Sequence, residues 1–224
     1  MSVMKTRQFI HNNSLAIVVF AIFILTIGGM SVTGWLSNNN SLEEHHQSQL
    51  SYPSYVTSGE FIEGVFENWE SEFLQMWALI ILTKYLRQKG SADSKPLRGG
   101  IPQDTNPRYG IINAENWHQR TKAIKHSVYS HSLGLVMFLF FATSILFHAI
   151  GGAAAYNQEN ILHGSETVSV IRYATSSQFW YESLQNWQSE FLAIGTLLVL
   201  SIKLRERGSP ESKPVGKKFD HKTG

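Results

Sequence analysis

The sequence predicts an all-α integral membrane protein, a four-helix bundle made from two tandem, parallel-oriented helical hairpin repeats. Three observations predict it. The apolar residues gather in four blocks, and the charges lie almost wholly between them. A shift of 118 positions superimposes residues 14–96 on 132–214 without a gap, with about 29 of 83 pairs identical. All 19 Lys and Arg except Arg172 lie in the N-terminal tail, the central linker with its flanking helix end, or the C-terminal segment. The averages alone, 43% hydrophobic and 16% charged over 224 residues, suggest an ordinary soluble domain, and the distribution excludes that. The chain has no cysteine, which excludes disulfides, thiolate metal sites and cysteine nucleophiles.

Residues 1–13 form a short N-terminal tail. The first block, Ser14 to about Leu36, is free of charge over more than twenty residues. At 1.5 Å per residue it crosses a core of about 30 Å. Lys5 and Arg7 precede it, as in a signal peptide. The apolar stretch is too long for a signal, and no small-x-small cleavage site ends it, so it reads as an uncleaved span. The second block is apolar only from Met76 to Leu82, but Phe61, Ile62, Val65, Phe66, Trp69 and Phe73 extend the helical pattern upstream. Thr57-x-x-Glu60 and its counterpart Thr175-x-x-Gln178 read as capping boxes. Phe61 to Leu86 makes about 39 Å of helix, enough to span with tilt. A competing geometry lays the amphipathic residues 58–71 flat on the outer surface before a shorter span.

Gly90 and Gly208 suit helix stops, with Lys and Arg in the last turns. The linker, 97–131, holds Gly99-Gly100, Pro102 and Pro107, with Pro96 just before it, and reads as a flexible tether with one short amphipathic helix at Ile111 to Lys122. Its basic charge suits anionic headgroups. The third block runs from Tyr129 to Ile150 and is followed by the small residues Gly151 to Ala155. The fourth repeats the second around Ile194 to Leu200, and residues 215–224 form the C-terminal tail.

Two spans return the chain to its starting side, so hairpins 14–96 and 132–214 share one orientation about an axis along the membrane normal. The basic residues then place both termini and the linker in the cytoplasm of an inner (plasma) membrane protein.

Ion binding is expected at Glu72 and Glu190, equivalent carboxylates near the middle of the second and fourth spans. Such a group costs roughly 2.5–3.5 kcal/mol at the bilayer centre and marks a functional site. Asn68 and Asn186 lie one turn earlier on the same face, with Ser71 and Ser189 beside the carboxylates. Glu60, Glu63, Glu67 and Glu70 follow 3-4-3 spacing and form an outer acidic face that attracts cations or is simply solvated. His148, near the outer end of the third span, and the loop residues His45, His46 and His163 are weak metal candidates, because their spacing matches no strong metal motif. No catalytic motif is present, and no cofactor or nucleic acid is expected.

The elements FENWESEFLQ and QNWQSEFLA, with the endings GSADSKP and GSPESKP, are distinctive. The chain resembles an uncharacterised family of small bacterial membrane proteins, catalogued as a domain of unknown function. The resemblance covers nearly the whole chain and implies a multi-pass membrane protein, with no activity attached. From the paired Glu residues, function is expected to be proton or cation transport through that site, with the lipid bilayer and a second copy of the chain as partners. The alternative is a non-transporting scaffold or partner subunit whose polar stripe only holds helices together.

Overall fold

The computed structural model describes residues 2–104 and 125–216, with side chains from Thr6 onward. The expected amphipathic helix at 111–122 lies outside the described residues. The described chain is all-α. In order come α1 (Ser2–Asn12), α2 (Ser14–Glu44), α3 (Tyr52–Tyr55), α4 (Gly59–Tyr85), a 3-10 turn (Pro102–Asp104), α5 (Ser132–Leu162), α6 (Val170–Ala174) and α7 (Ser177–Lys203). The N-terminal tail is thus mostly helical, and residues 125–130 add helical turns just before α5.

Helices α2 and α5 are each 31 residues long and apolar enough to cross a membrane. A soluble core helix also meets those criteria, but it would be covered. Only 6% of the most apolar window of α2 is buried, and 17% of that of α5. Leu15, Phe20 and Leu25 on α2, and Leu133, Leu139 and Leu146 on α5, are exposed. Helices α4 and α7 are each 27 residues, about 40 Å. The first half of each carries Glu side chains, whereas the apolar stretches of α2 and α5 hold no Asp, Glu, Lys or Arg. Helix α4 is continuous from Gly59, with no break near residue 71 at which a surface segment would turn into a shorter span.

The caps differ from the expected capping boxes by one residue. Ser58 Oγ accepts from Phe61 N, and Ser176 Oγ from Phe179 N, both at 3.3 Å. The hydroxyls of Thr57 and Thr175 instead donate back to carbonyls of the preceding turn. A cap must accept from an orphan N–H two or three residues ahead, and the bonds of Thr57 and Thr175 run backward to carbonyls of α3 and α6. The helices also stop sooner than the glycines suggest. Gly90 and Gly208 sit at φ +87° and +88° in turns after the helix ends. There Ser94 Oγ accepts from Gln88 N and Ser212 Oγ from Glu206 N, while Ser91 and Ser209 accept from Asp93 N and Glu211 N. The two GSxxSKP endings therefore close on the same bonds.

Two compact units form, Met1–Gly64 with Ile150–Thr167 and Val65–Ala149 with Val168–Gly224. In the first, Asn39 clips both backbone groups of Leu50, at 2.7 and 3.0 Å. Trp35 Nε1 also donates to the Leu50 carbonyl, and Ser31 bonds the Tyr52 hydroxyl. Helices α4 and α5 touch backbone to backbone: a Cβ on Gly59 would stand 2.6 Å from Ala155 N, and one on Gly151 2.6 Å from Glu63 N. The expected small-residue run thus serves close helix approach.

The second unit is built on aromatic contacts. Phe66 stacks on Phe147, Phe73 meets Phe140 and Trp77 meets Phe138, joining α4 to α5. Phe141 meets Trp187, joining α5 to α7.

Candidate functional site

In the second unit, α5 carries His148, and neither it nor Glu70 of α4 has any exposed surface. His148 Nδ1 lies 3.0 Å from Glu70 Oε2. An ionised carboxylate only accepts, so Nδ1 holds the proton and Nε2 presents its lone pair or a second proton. Trp187 Nε1 of α7 donates to the other Glu70 oxygen at 3.1 Å. Glu70 is therefore held from two helices.

On the other side of the ring stands Glu182 of α7, with Oε2 at 3.5 Å from Nε2. That is an ion-pair distance, and Nε2 has no hydrogen-bond partner. Glu182 is itself fixed. Tyr173 Oη donates to Oε2 at 2.7 Å, and Gln178 Nε2 donates to Oε1 at 2.5 Å. Tyr173 comes from α6, which Ser169 caps by accepting from Arg172 N. The Phe179 ring, 4.7 Å from the imidazole, closes one flank with apolar surface. Glu67 lies within electrostatic reach of His148, Glu70 and Glu182, and accepts from Asn186 Nδ2 at 2.5 Å. Within this unit the charges of three carboxylates, Glu67, Glu70 and Glu182, thus act on one imidazole. Such a cluster can hold a proton or a cation, since buried like charges demand a positive partner.

The structure distributes the residues expected from sequence as follows. Glu72 is exposed and Glu190 half-buried, and the charge of Glu72 acts on Glu190. Gln75 Nε2 donates both to Glu190 Oε2 at 2.8 Å and to its main-chain carbonyl at 3.0 Å. Asn68 is exposed, whereas Asn186 is half-buried on Glu67. Ser71 and Ser189 each donate to the carbonyl three residues earlier in their own helix. The acidic face does not face solvent throughout. Glu60 is exposed and accepts from Asn38, Glu63 is half-buried, and Glu67 and Glu70 enter the histidine cluster. In the first unit the rings of His45 and His163 lie 6.5 Å apart. Each Nδ1 bonds the carbonyl four residues back.

Sequence reasoning missed Glu182, Tyr173, Gln178 and Trp187. A signal for Glu182 existed: it stands where the first half has Gly64, as His148 stands where the first half has Met30.

Outside the apolar helices, the carboxyl of Asp93 is pushed up, first by burial and then by the charge and hydrogen bond of Glu211. The carboxyl of Asp104 is pulled down, chiefly by its bond to Lys95 at 2.5 Å.

The chain belongs to a family described as a domain of unknown function (DUF6766), whose model matches residues 6–224. Neither the curated proteins nor the solved structures include a significant match to it.

Proposed function

We propose that this is a four-span inner-membrane protein that passes protons or cations, and that the ion is held at His148 between Glu70 and Glu182. The observation that carries the reading is the wholly buried Glu70–His148 pair, whose histidine lies on a helix long and apolar enough to cross a membrane. Ionisable groups at such depth are costly and by default mark ion pathways. The exposed apolar surfaces of α2 and α5 support the bilayer as their solvent. Two tandem hairpins are supported by helix bounds that recur at the sequence offset of 118. Ser14–Glu44 and Ser132–Leu162 correspond end to end, as do Gly59–Tyr85 and Ser177–Lys203. The distribution of Lys and Arg supports cytoplasmic termini. A homodimer belongs to the same proposal, because a second copy would cover the exposed Glu72 on α4.

The test is flux in proteoliposomes, with a pH-sensitive dye inside and cation gradients across the membrane. His148→Gln should abolish flux and leave expression intact. Loss in the Glu72→Gln/Glu190→Gln protein, with His148→Gln unaffected, would return the ion site to the paired carboxylates. No flux in the wild type sinks the transport reading. The second reading, a scaffold, is favoured by one observation. The Gln75–Glu190 and Asn186–Glu67 bonds join α4 to α7 with no ion involved.

A further inference from the structure

The imidazole of His148 has one nitrogen hydrogen-bonded and one without a hydrogen bond, and this asymmetry has a chemical use. Nδ1 is bound by Glu70, which Trp187 holds in place. Nε2 is buried and without a hydrogen bond, and a Glu182 oxygen stands 3.5 Å away. That spacing is long for a hydrogen bond. It is close to the separation of two ligand atoms on one tetrahedral ion, about 3.3 Å for bonds of about 2.0–2.1 Å. A carboxylate behind a ligating histidine is also the usual way in which proteins fix its tautomer and raise its basicity.

We propose that His148 Nε2 and Glu182 Oε2 bind a divalent transition-metal cation of the zinc class, with Glu70 orienting the histidine from behind. The inference rests on the ion-handling reading above and names its cargo. The donor set selects the class. One imidazole nitrogen with carboxylate oxygen suits zinc, manganese, iron or cobalt, whereas magnesium and calcium prefer oxygen alone. With no cysteine in the chain, thiolate-bound copper is excluded. Gln178 holds Glu182 by Oε1 and Tyr173 donates to Oε2 itself, while Glu70 holds His148, so both ligands are pre-oriented. Charge balance favours the same occupant. Glu67, Glu70 and Glu182 bring three carboxylates to one ring, and a dication offsets two of them. Structural zinc sites are closed by four protein ligands. Two protein ligands leave positions for water, which suits an ion that must leave again.

The experiment is zinc titration by calorimetry of the full-length protein in nanodiscs, with helicity checked by circular dichroism. The wild type is expected to bind one equivalent. His148→Gln and Glu182→Gln should each weaken it at least 100-fold, and Glu70→Gln by about 10–100-fold. His45→Gln/His163→Gln should leave that equivalent in place. Cobalt provides a second readout: the wild type should show the strong visible absorption of a tetrahedral site, and Glu182→Gln should lose it. Undiminished zinc binding in folded His148→Gln overturns the assignment, as does loss of the equivalent in the His45/His163 variant. Proton flux abolished by His148→Gln, in a protein that holds no zinc, overturns the metal site and leaves transport standing. Zinc held at this site with no flux of any cation supports the metal site and overturns transport.

Discussion

Helices α2 and α5 have the same length and corresponding ends, yet only one carries a buried ionisable group at its centre. His148 of α5 stands where α2 has Met30. His148 faces Glu182, and the counterpart of Glu182 is Gly64, where an added Cβ would lie 3.4 Å from the Met30 methyl. Glu70 and Glu67 likewise correspond to Gln188 and Gln185. In all four pairs one member is titratable and its counterpart neutral, and each half supplies two of the titratable residues: Glu67 and Glu70 from the first, His148 and Glu182 from the second. The Met30–Gly64 contact demonstrates that helices of this geometry can meet without charge. A buried ion pair is weak evidence for stability, since hydrophobic replacements are often neutral or better. The proposed ion site accounts for the charged set, which stability alone does not require.

The strongest way to break that comparison is to replace the titratable residues by their neutral counterparts. Combining His148→Met, Glu70→Gln and Glu182→Gly should remove flux and zinc binding entirely while the thermal midpoint in detergent stays near that of the wild type. A collapsed midpoint would mean that the charges hold the fold. Glu70→Ala alone should behave differently, because it strands a buried imidazole. A loss of about 3–5 kcal/mol is expected, read from denaturant unfolding.

Gly151→Ala tests a contact that only one half has, since Thr33 stands at the equivalent position. The new Cβ would press on Glu63 N. Overpacking of this kind costs about 1–3 kcal/mol, visible as a lower melting midpoint. Tyr173→Phe removes the hydroxyl that anchors Glu182 and should cost about 0.5–1.5 kcal/mol. It should also weaken zinc binding, an effect that a purely structural tyrosine would not have.

Where the halves agree, they should respond alike. Ser58→Ala and Ser176→Ala each remove the same cap and should each cost about 1 kcal/mol. The smallest expected effect is the titration of Asp93. Burial and Glu211 raise its carboxyl in the folded protein. Its contribution is thus fullest in acid, where Asp93 is protonated in both states, and is lost as pH rises through the raised value. Glu211→Gln should bring the carboxyl back toward the usual range, as read by carbon-13 NMR of the side chain.

Much of the fold is legible without coordinates. Charge-free length and helical spacing mark α2, α4, α5 and α7, and the offset of 118 relates their ends. The caps fall one residue beyond the expected threonines, because Ser and Thr are interchangeable in a sequence pattern and only the backbone path decides which hydroxyl faces the free N–H. Glu72 and Glu190 stood out because both halves keep them, and shared residues are the natural place to look in a repeated chain. The titratable members of the cluster, His148, Glu67, Glu70 and Glu182, are instead residues that the halves do not share, set among aromatic residues that they do.

The sequence by itself determined the four long helices α2, α4, α5 and α7, and that α2 and α5 are apolar enough for a bilayer, but not the short helices α1, α3 and α6. Those properties follow from local spacing and composition, and neither requires distant residues to meet. Only the tertiary structure decided that His148, Glu70 and Glu182 form one site. His148 lies 78 residues from Glu70, and Trp187 lies 117 from it. Helical periodicity places a side chain on a face of its own helix. Which faces of α4, α5 and α7 then meet is set by how their aromatic side chains interdigitate, and that packing exists only once the helices are together.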